Sequence, residues 1–216
     1  MMRAEPLRFI TFEGSEGAGK STQIRRLEAR LLSLGETVLT IREPGGTPLG
    51  ERLRRLLKES SPELTLSPES ELFLFLASRA QVVRQTIRPA LGRASWVLSD
   101  RFSDSTLAYQ GGGRGFSPIL LRSLNELACA GLSPGITFVL DLSLSEAAAR
   151  IAQRKQESAQ GDRIEEEPPE FFERVRSAYR DLARLEPDRI RLIDAGRPED
   201  EVADGIWEIV SHVFGL

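Results

Sequence analysis

Gly14-Ser-Glu-Gly-Ala-Gly-Lys-Ser21 fits the pattern G-x-x-x-x-G-K-[ST], and its surroundings are those such a turn requires. An apolar run, Leu7 to Phe12, leads in, and an amphipathic stretch with Ile24, Leu27 and Leu31 on one face leads out. A glycine-rich strand-to-helix turn can aim several backbone N–H groups at one phosphate chain, and the helix N-terminus adds the positive end of its dipole. Lys20 supplies a point charge for the outer phosphates, and the hydroxyl of Ser21 is placed to ligate Mg²⁺. The lysine is informative in itself. Cations in this chain are arginines almost everywhere, Lys20, Lys58 and Lys155 excepted. A compact ammonium at the one position where phosphate chemistry favours it points to function. The plainer reading, a Gly/Ser turn before an ordinary helix, leaves that choice unexplained.

Working outward, short apolar runs alternate with longer helical patterns, the sequence sign of parallel βαβ units. The predicted strands are Leu7–Phe12, Thr37–Ile41, Trp96–Ser99, Ile136–Leu142 and Arg189–Ile193. Their unbroken Val/Ile/Leu/Phe content suits strands covered on both faces. Helices are predicted over Lys20–Leu34, Leu49–Glu59, Ser67–Leu91, Ser117–Ala130, Ser145–Glu157, Pro169–Leu185 and Glu199–Phe214. Gly35 fits the position just past a helix end, while Pro48, Pro68 and Pro118 stand near helix starts. Two stretches depart from this rhythm. Gly111-Gly-Gly-Arg-Gly115 reads as a flexible or phosphate-adjacent loop. Arg150–Pro169 mixes both charge signs with little apolar content, which reads as a mobile lid or, equally, as a solvated helix and surface loop.

The 216 residues suit one domain spanning the chain, with the lid at about 150–168, and 40% hydrophobic content is ample for a core. A net charge of −3 marks no nucleic-acid or anionic-membrane binder, so a polyphosphate must be held by local cations. Cys129 is the lone cysteine, in a predicted helix, and reads as a small buried hydrophobe. His212 is the lone histidine, which removes Cys/His metal sites and histidine acid–base chemistry. No signal-peptide pattern opens the chain, and the longest apolar run, Leu72 to Ala77, is too short to cross a bilayer. A cytoplasmic protein is expected.

Further candidates follow from position. Asp100 ends a predicted parallel strand, where a carboxylate beside the phosphate loop can hold Mg²⁺, and Arg101 next to it can fork onto a phosphate. Phe75 and Arg79 are four apart on one helix and share a face. They would stack a base and grip its phosphate, or Phe75 is simply core. Arg154 and Arg163 lie in the lid, where closure can bring a cation to the transferring phosphoryl group, and Arg150 shares a face with Arg154. Glu16 is unexpected inside a phosphate loop. Its carboxylate would face a sugar hydroxyl, a metal ion or solvent.

Several stretches together resemble thymidylate kinases of the bacterial type. They are Phe12-Glu-Gly-Ser-Glu-Gly-Ala-Gly-Lys-Ser-Thr22, Arg42-Glu-Pro-Gly-Gly-Thr-Pro-Leu-Gly-Glu-Arg-Leu-Arg54, Ala77-Ser-Arg79, Asp100-Arg-Phe-Ser-Asp-Ser-Thr-Leu-Ala-Tyr-Gln-Gly111 and Asp162-Arg-Ile-Glu165. The Glu-Pro-Gly-Gly-Thr and Ser-x-x-x-Tyr-Gln-Gly elements are the specific ones, separating this family from adenylate, guanylate and cytidylate kinases. The resemblance implies a three-layer α/β/α P-loop kinase fold, with a central five-stranded parallel sheet and a mobile lid. It also implies transfer of the ATP γ-phosphoryl to dTMP with Mg²⁺, by a homodimer.

Carried onto this sequence, Gly14, Ser15, Glu16, Gly17, Ala18, Gly19, Lys20, Ser21 and Thr22 would hold ATP, with Ser21 and Asp100 on the metal. Glu16 and Pro44 would lie on the dTMP side, and Phe75 would stack on thymine. Arg54, Arg79 and Arg101 resemble clamps on the dTMP phosphate. Ser105 and Gln110 resemble readers of the base edge, and Tyr109 the ring that crowds the sugar 2′ position. Where eukaryotic-type members carry an arginine in the loop, this chain has Gly17. The catalytic cation would then come from the lid, Arg154 first and Arg163 second, alongside Lys20 and Asp100. Gln156, Glu157, Ser158 and Gln160 make the lid centre less basic than is usual, and Phe102 stands where tyrosine or histidine is common. A deoxynucleoside kinase would need a carboxylate base for a neutral hydroxyl, which an arginine clamp argues against. A GTPase-type switch would carry Asn-Lys-x-Asp, which this sequence lacks.

Overall fold

The computed structural model describes residues 6–59, 64–155 and 163–216, and the side chains of Arg154 and Lys155 lie outside that description. Among the described residues five strands form one sheet: β1 (Phe9–Glu13), β2 (Val38–Arg42), β3 (Trp96–Asp100), β4 (Ile136–Asp141) and β5 (Ile190–Asp194). The order is β2-β3-β1-β4-β5 and every pairing is parallel. All five predicted strands are present, shifted by one or two residues at their ends.

The helices are α1 (Lys20–Ser33), α2 (Pro48–Lys58), α3 (Pro68–Val82), α4 (Arg88–Gly92), α5 (Ser103–Thr106), α6 (Pro118–Cys129), α7 (Leu144–Lys155), α8 (Pro169–Leu185) and α9 (Glu199–Phe214). Their starts follow local chemistry. Thr47 and Ser67 cap α2 and α3 by accepting from the backbone N–H groups of Gly50 and Ser70, with proline at the first helical position of each. Gly35 follows the end of α1 at φ 80°, as a left-handed terminator does.

The strands alternate their side chains between two covered faces. Ile10, Phe12, Trp96, Leu98, Ile136 and Phe138 meet Ile24, Leu27 and Leu31 of α1 and Val202, Ile206 and Val210 of α9. On the opposite face Phe9 and Val97 pack with Val82, Val83 and Ile87. Val139 and Ile190 lie there too, against Val175, Tyr179 and Leu182 of α8. Two helical layers therefore enclose one sheet, as a purely parallel sheet requires. Phe138 is fully buried, and truncating such a ring to Ala costs about 3–5 kcal/mol.

Two expectations need correction. The single helix over Ser67–Leu91 is three pieces: α3, a wide π-helical turn at Val83–Ile87, and α4. The glycine run is no flexible loop, because Leu107–Gly113 forms a second π-helical segment continuing α5, and α8 packs on it. A Cβ on Gly113 would lie 2.4 Å from the Phe171 ring, and one on Gly112 2.7 Å from Ala178. The glycines permit close approach of two helical segments. The helix predicted to Glu157 is described to Lys155; residues 156–162 of the expected lid, Asp162 among them, lie outside the described residues, and a short 3₁₀ turn follows at Arg163–Glu166.

Candidate active site

Each strand ends, at its carboxyl end, on a charged residue: Glu13, Arg42, Asp100, Asp141 and Asp194. In an open α/β sheet ligands bind outside that edge, where the strand order reverses. Here β1 is the central strand and the loop leaving it is Gly14–Gly19. Gly14, Gly17 and Gly19 take positive φ, and a Cβ on Gly14 would meet the Leu140 carbonyl oxygen at 2.4 Å. Only glycine lets β1 turn so close to β4. The loop then delivers Lys20 and Ser21 into the first turn of α1.

The Lys20 ammonium donates to the carbonyl oxygens of Ser15 (2.9 Å) and Gly14 (3.2 Å), and its burial pulls its pKa down. Ser21 Oγ donates to Asp100 Oδ2 at 3.0 Å, joining the loop to the end of β3. A hydroxyl and a carboxylate are the hard oxygen donors that Mg²⁺ takes. Among the described residues no three His, Cys, Asp or Glu side chains gather as a metal cage. An ion held here would take its remaining ligands from phosphate oxygens and water, the usual habit of Mg²⁺.

On the β3 side, Arg101 is a non-glycine residue at φ 72°, a strained conformation held by its N–H donating to the Phe12 carbonyl and by Ser99 Oγ donating to the Arg101 carbonyl. The turn aims the guanidinium into the cleft. Nη2 donates to Glu16 Oε1 (2.7 Å) and Tyr109 OH (3.0 Å), while Nη1 donates to Ser105 Oγ and Tyr179 OH (both 3.3 Å). Burial pushes the Glu16 carboxyl up, but the charges of Arg101 and Lys20 outweigh it and hold it well below the carboxylate range. Burial also raises the Tyr109 phenol.

Beneath them Glu13 is wholly buried and accepts from Phe102 N, Ser105 Oγ and Tyr179 OH at 2.5–2.7 Å. Desolvation raises its pKa. Neither Glu13 nor Tyr179 was singled out from sequence. A carboxylate ending an apolar strand one residue before the glycine loop was the available signal for Glu13, whereas Tyr179 reaches the site only through the docking of α8.

Arg79 is 1% exposed. It donates to Glu43 Oε2 (2.8 Å), Thr106 Oγ1 (2.6 Å), Asn125 Oδ1 (2.9 Å) and the Phe102 carbonyl (2.9 Å). Four of its five N–H groups thus have protein partners, leaving one for the cleft. Arg54 donates to the Pro44 carbonyl at 3.0 Å. Phe75 is only partly buried and lines the cleft, as do Pro44, Arg54, Ser105, Tyr109 and Gln110. Arg163 is turned elsewhere, donating to Glu71 Oε2 (2.7 Å) and the Leu57 carbonyl (3.3 Å). The Arg154 side chain lies outside the described residues.

The cleft encloses about 910 Å³, near the top of the range of about 300–1,000 Å³ usual for small-molecule sites. It runs from Phe75 and Gln110 past Lys20 to a second end lined by Arg150, Ala195, Arg197 and Val202. That end, beyond β5, was not found from sequence. Arg150 Nη2 donates to the Ala195 carbonyl (3.0 Å), and Gln23 Nε2 to the Glu199 carbonyl (3.1 Å), fixing its walls. α7 covers the loop so closely that a Cβ on Gly17 would lie 3.0 Å from the Ala147 carbonyl oxygen.

A glycine loop with a chamber on either side fits a kinase joining two nucleotides. The family model described as thymidylate kinase matches residues 12–206. The chain belongs to the thymidylate kinase family. It is 50% identical over 204 residues to the thymidylate kinase of Deinococcus radiodurans, covering 94% of this chain and 96% of that one. To the thymidylate kinase of Solidesulfovibrio magneticus it is 48% identical over 210 residues, covering 95% and 100%. The crystal structure of thymidylate kinase from Ehrlichia chaffeensis superposes with a TM-score of 0.72 at 34% identity, covering 94% of this chain and 97% of that one. The thymidylate kinase family is thus matched in sequence and in its P-loop kinase fold.

Proposed function

We propose that the cleft seats ATP and dTMP end to end across Lys20, ATP toward Ala195 and Arg197 and dTMP toward Phe75 and Gln110, and that the chain phosphorylates dTMP to dTDP. The observation that carries this reading is the continuity of one cleft on both sides of the phosphate loop. Phosphoryl transfer asks mainly for positioning and charge neutralisation, because the dTMP phosphate is itself the nucleophile near neutral pH. The N–H groups of the loop and the Lys20 ammonium would exchange their present partners for the β- and γ-phosphates. Mg²⁺, held by Ser21 and through Asp100, would supply charge neutralisation between the phosphates.

For the acceptor, Arg101 and Arg54 are the phosphate grips. Arg79, with a single uncommitted N–H, suits one acceptor atom on the substrate better than a bidentate grip. Phe75 offers a ring face to the base, Glu16 a carboxylate to the sugar, and the Arg101-bound phenol of Tyr109 a wall against a 2′-hydroxyl. Ser105 supports the same edge through Glu13. The catalytic cation is assigned to Arg154, one turn beyond the cleft-lining Arg150 on α7. Arg163, engaged by Glu71, serves as an anchor at the far end of the lid.

A homodimer is the expected assembly, through α3 and α6. These helices pack together by Leu72, Leu76, Leu121 and Ala128, yet leave Phe73 59%, Ile119 79% and Leu127 73% exposed. No described helix is long and apolar enough to cross a membrane. ATP as donor supports a cytoplasmic setting. The reaction is tested by ADP release, coupled to a reporter enzyme, across the common nucleoside monophosphates and thymidine. Strong stimulation by dTMP, and none by thymidine, is expected; equal ATP consumption with and without dTMP overturns the reading.

A further inference from the structure

Beyond engaging Arg163, Glu71 has no part in the roles assigned above, yet it is among the most heavily bonded carboxylates of the described residues. It lies in the opening turns of α3, four residues before Phe75, and is buried. Gln110 Nε2 (3.0 Å), Arg114 Nε (3.3 Å) and Nη2 (2.9 Å), and Arg163 Nη2 (2.7 Å) all donate to it. Burial pushes its pKa up, but hydrogen bonds from Arg114, Gln110 and Arg163 outweigh that and hold it below the usual carboxylate range. Glu71 is therefore ionised at neutral pH.

An ionised carboxylate accepts hydrogen bonds and donates none. The Gln110 amide must turn its NH₂ toward Glu71, which leaves the amide oxygen for the cleft that this side chain lines. Without such a partner a glutamine amide can turn over and present either a donor or an acceptor. Thymine and uracil present an N–H donor at N3, whereas cytosine presents a bare acceptor nitrogen. Two acceptors brought face to face leave both groups unpaired.

We propose that Glu71 is a positioning residue that fixes the Gln110 amide with its oxygen toward the acceptor chamber, and so favours a base carrying N3–H over cytosine. The inference rests on the reading that the acceptor base lies beside Phe75 and Gln110. It gives the buried cluster a role in substrate choice as well as in packing.

The test is the ratio of kcat/KM for dTMP to that for dCMP in Glu71→Gln, Arg114→Gln, Gln110→Leu and the exchanged pair Glu71→Gln/Gln110→Glu. Glu71→Gln should lower the ratio by about tenfold. Arg114→Gln removes charge from the same cluster but keeps the Gln110 contact, and should leave the ratio unchanged. The exchanged pair keeps a carboxylate in the cluster and an acceptor toward the base, and should restore most of the preference. If Glu71→Gln does not fold, the exchanged pair decides: a preserved preference supports the proposal and a collapsed one overturns it. An unchanged ratio in Glu71→Gln beside a lowered one in Gln110→Leu overturns the role of Glu71 while leaving the base placement intact. An unchanged ratio in Gln110→Leu removes the base placement itself. Equal falls in Glu71→Gln and Arg114→Gln reduce the effect to lost packing and overturn the proposal.

Discussion

The hydroxyl of Ser21 lies 3.0 Å from Oδ2 of Asp100, so the first turn of α1 and the end of β3 share one hydrogen bond although 79 residues separate them. That bond sets two oxygen atoms of the kind Mg²⁺ takes side by side next to the phosphate loop, where the proposed reading puts the metal. Asp100→Asn keeps the shape and removes the charge. It should raise the Mg²⁺ concentration needed for half-maximal turnover, and lower turnover about 10–100-fold. A Mg²⁺ titration of kcat checks this; an unchanged titration curve would take Asp100 out of the metal site.

With both cations on the transferring group, as proposed, Lys20→Ala and Arg154→Ala should each reduce kcat by about 10²–10³ while changing dTMP affinity little. Turnover and calorimetric dTMP binding, measured on the same preparations, separate the two effects. Parallel losses in both would refute this division of roles.

Glu43 predicts a pH dependence of stability. Burial outweighs its ion pair with Arg79 and pushes its pKa up to about 7. In the interval between the unfolded carboxylate value and about 7 the folded state holds a proton that the unfolded state has lost, so stability falls as pH rises. Glu43→Gln keeps an acceptor for Arg79 and abolishes the titration. Its Tm relative to the parent chain should climb from pH 5 to pH 7 and level off above, by a stability difference on the order of 1–3 kcal/mol. A pH-independent difference would show that Glu43 stays ionised throughout.

Gly113→Ala places a methyl group against the Phe171 ring. Overpacking of that kind costs about 1–3 kcal/mol. Thermal unfolding should shift down by several degrees, and α8 cannot then dock as closely behind Tyr109. No change in Tm would mean that the two segments separate at no cost.

Much of this was legible in the sequence because the signals were local. The five apolar runs became five strands, and Pro48, Pro68 and Pro118 marked helix starts, since each depends on residues within one turn. The break at Val83–Ile87 left no such mark: Val82, Val83 and Ile87 carry an apolar face straight through it onto Phe9 and Val97, and the widening shows only in the folded backbone. Gly111–Gly113 misled because glycine signals both mobility and close contact, and the deciding partner, Phe171, is about sixty residues away. The Phe75 and Gln110 chamber carried specific motifs. The Ala195 and Arg197 chamber joins α7, β5 and α9 through a backbone carbonyl, which no residue pattern announces.

Two of the three N–H groups of the Lys20 ammonium are already held by carbonyls of its own turn. A newcomer must therefore outbid neutral oxygens, which only a chain of several anionic groups does well. Adenosine and AMP should be weak competitors here even though they carry the same purine, so the enzyme would count charges before it examines the ring.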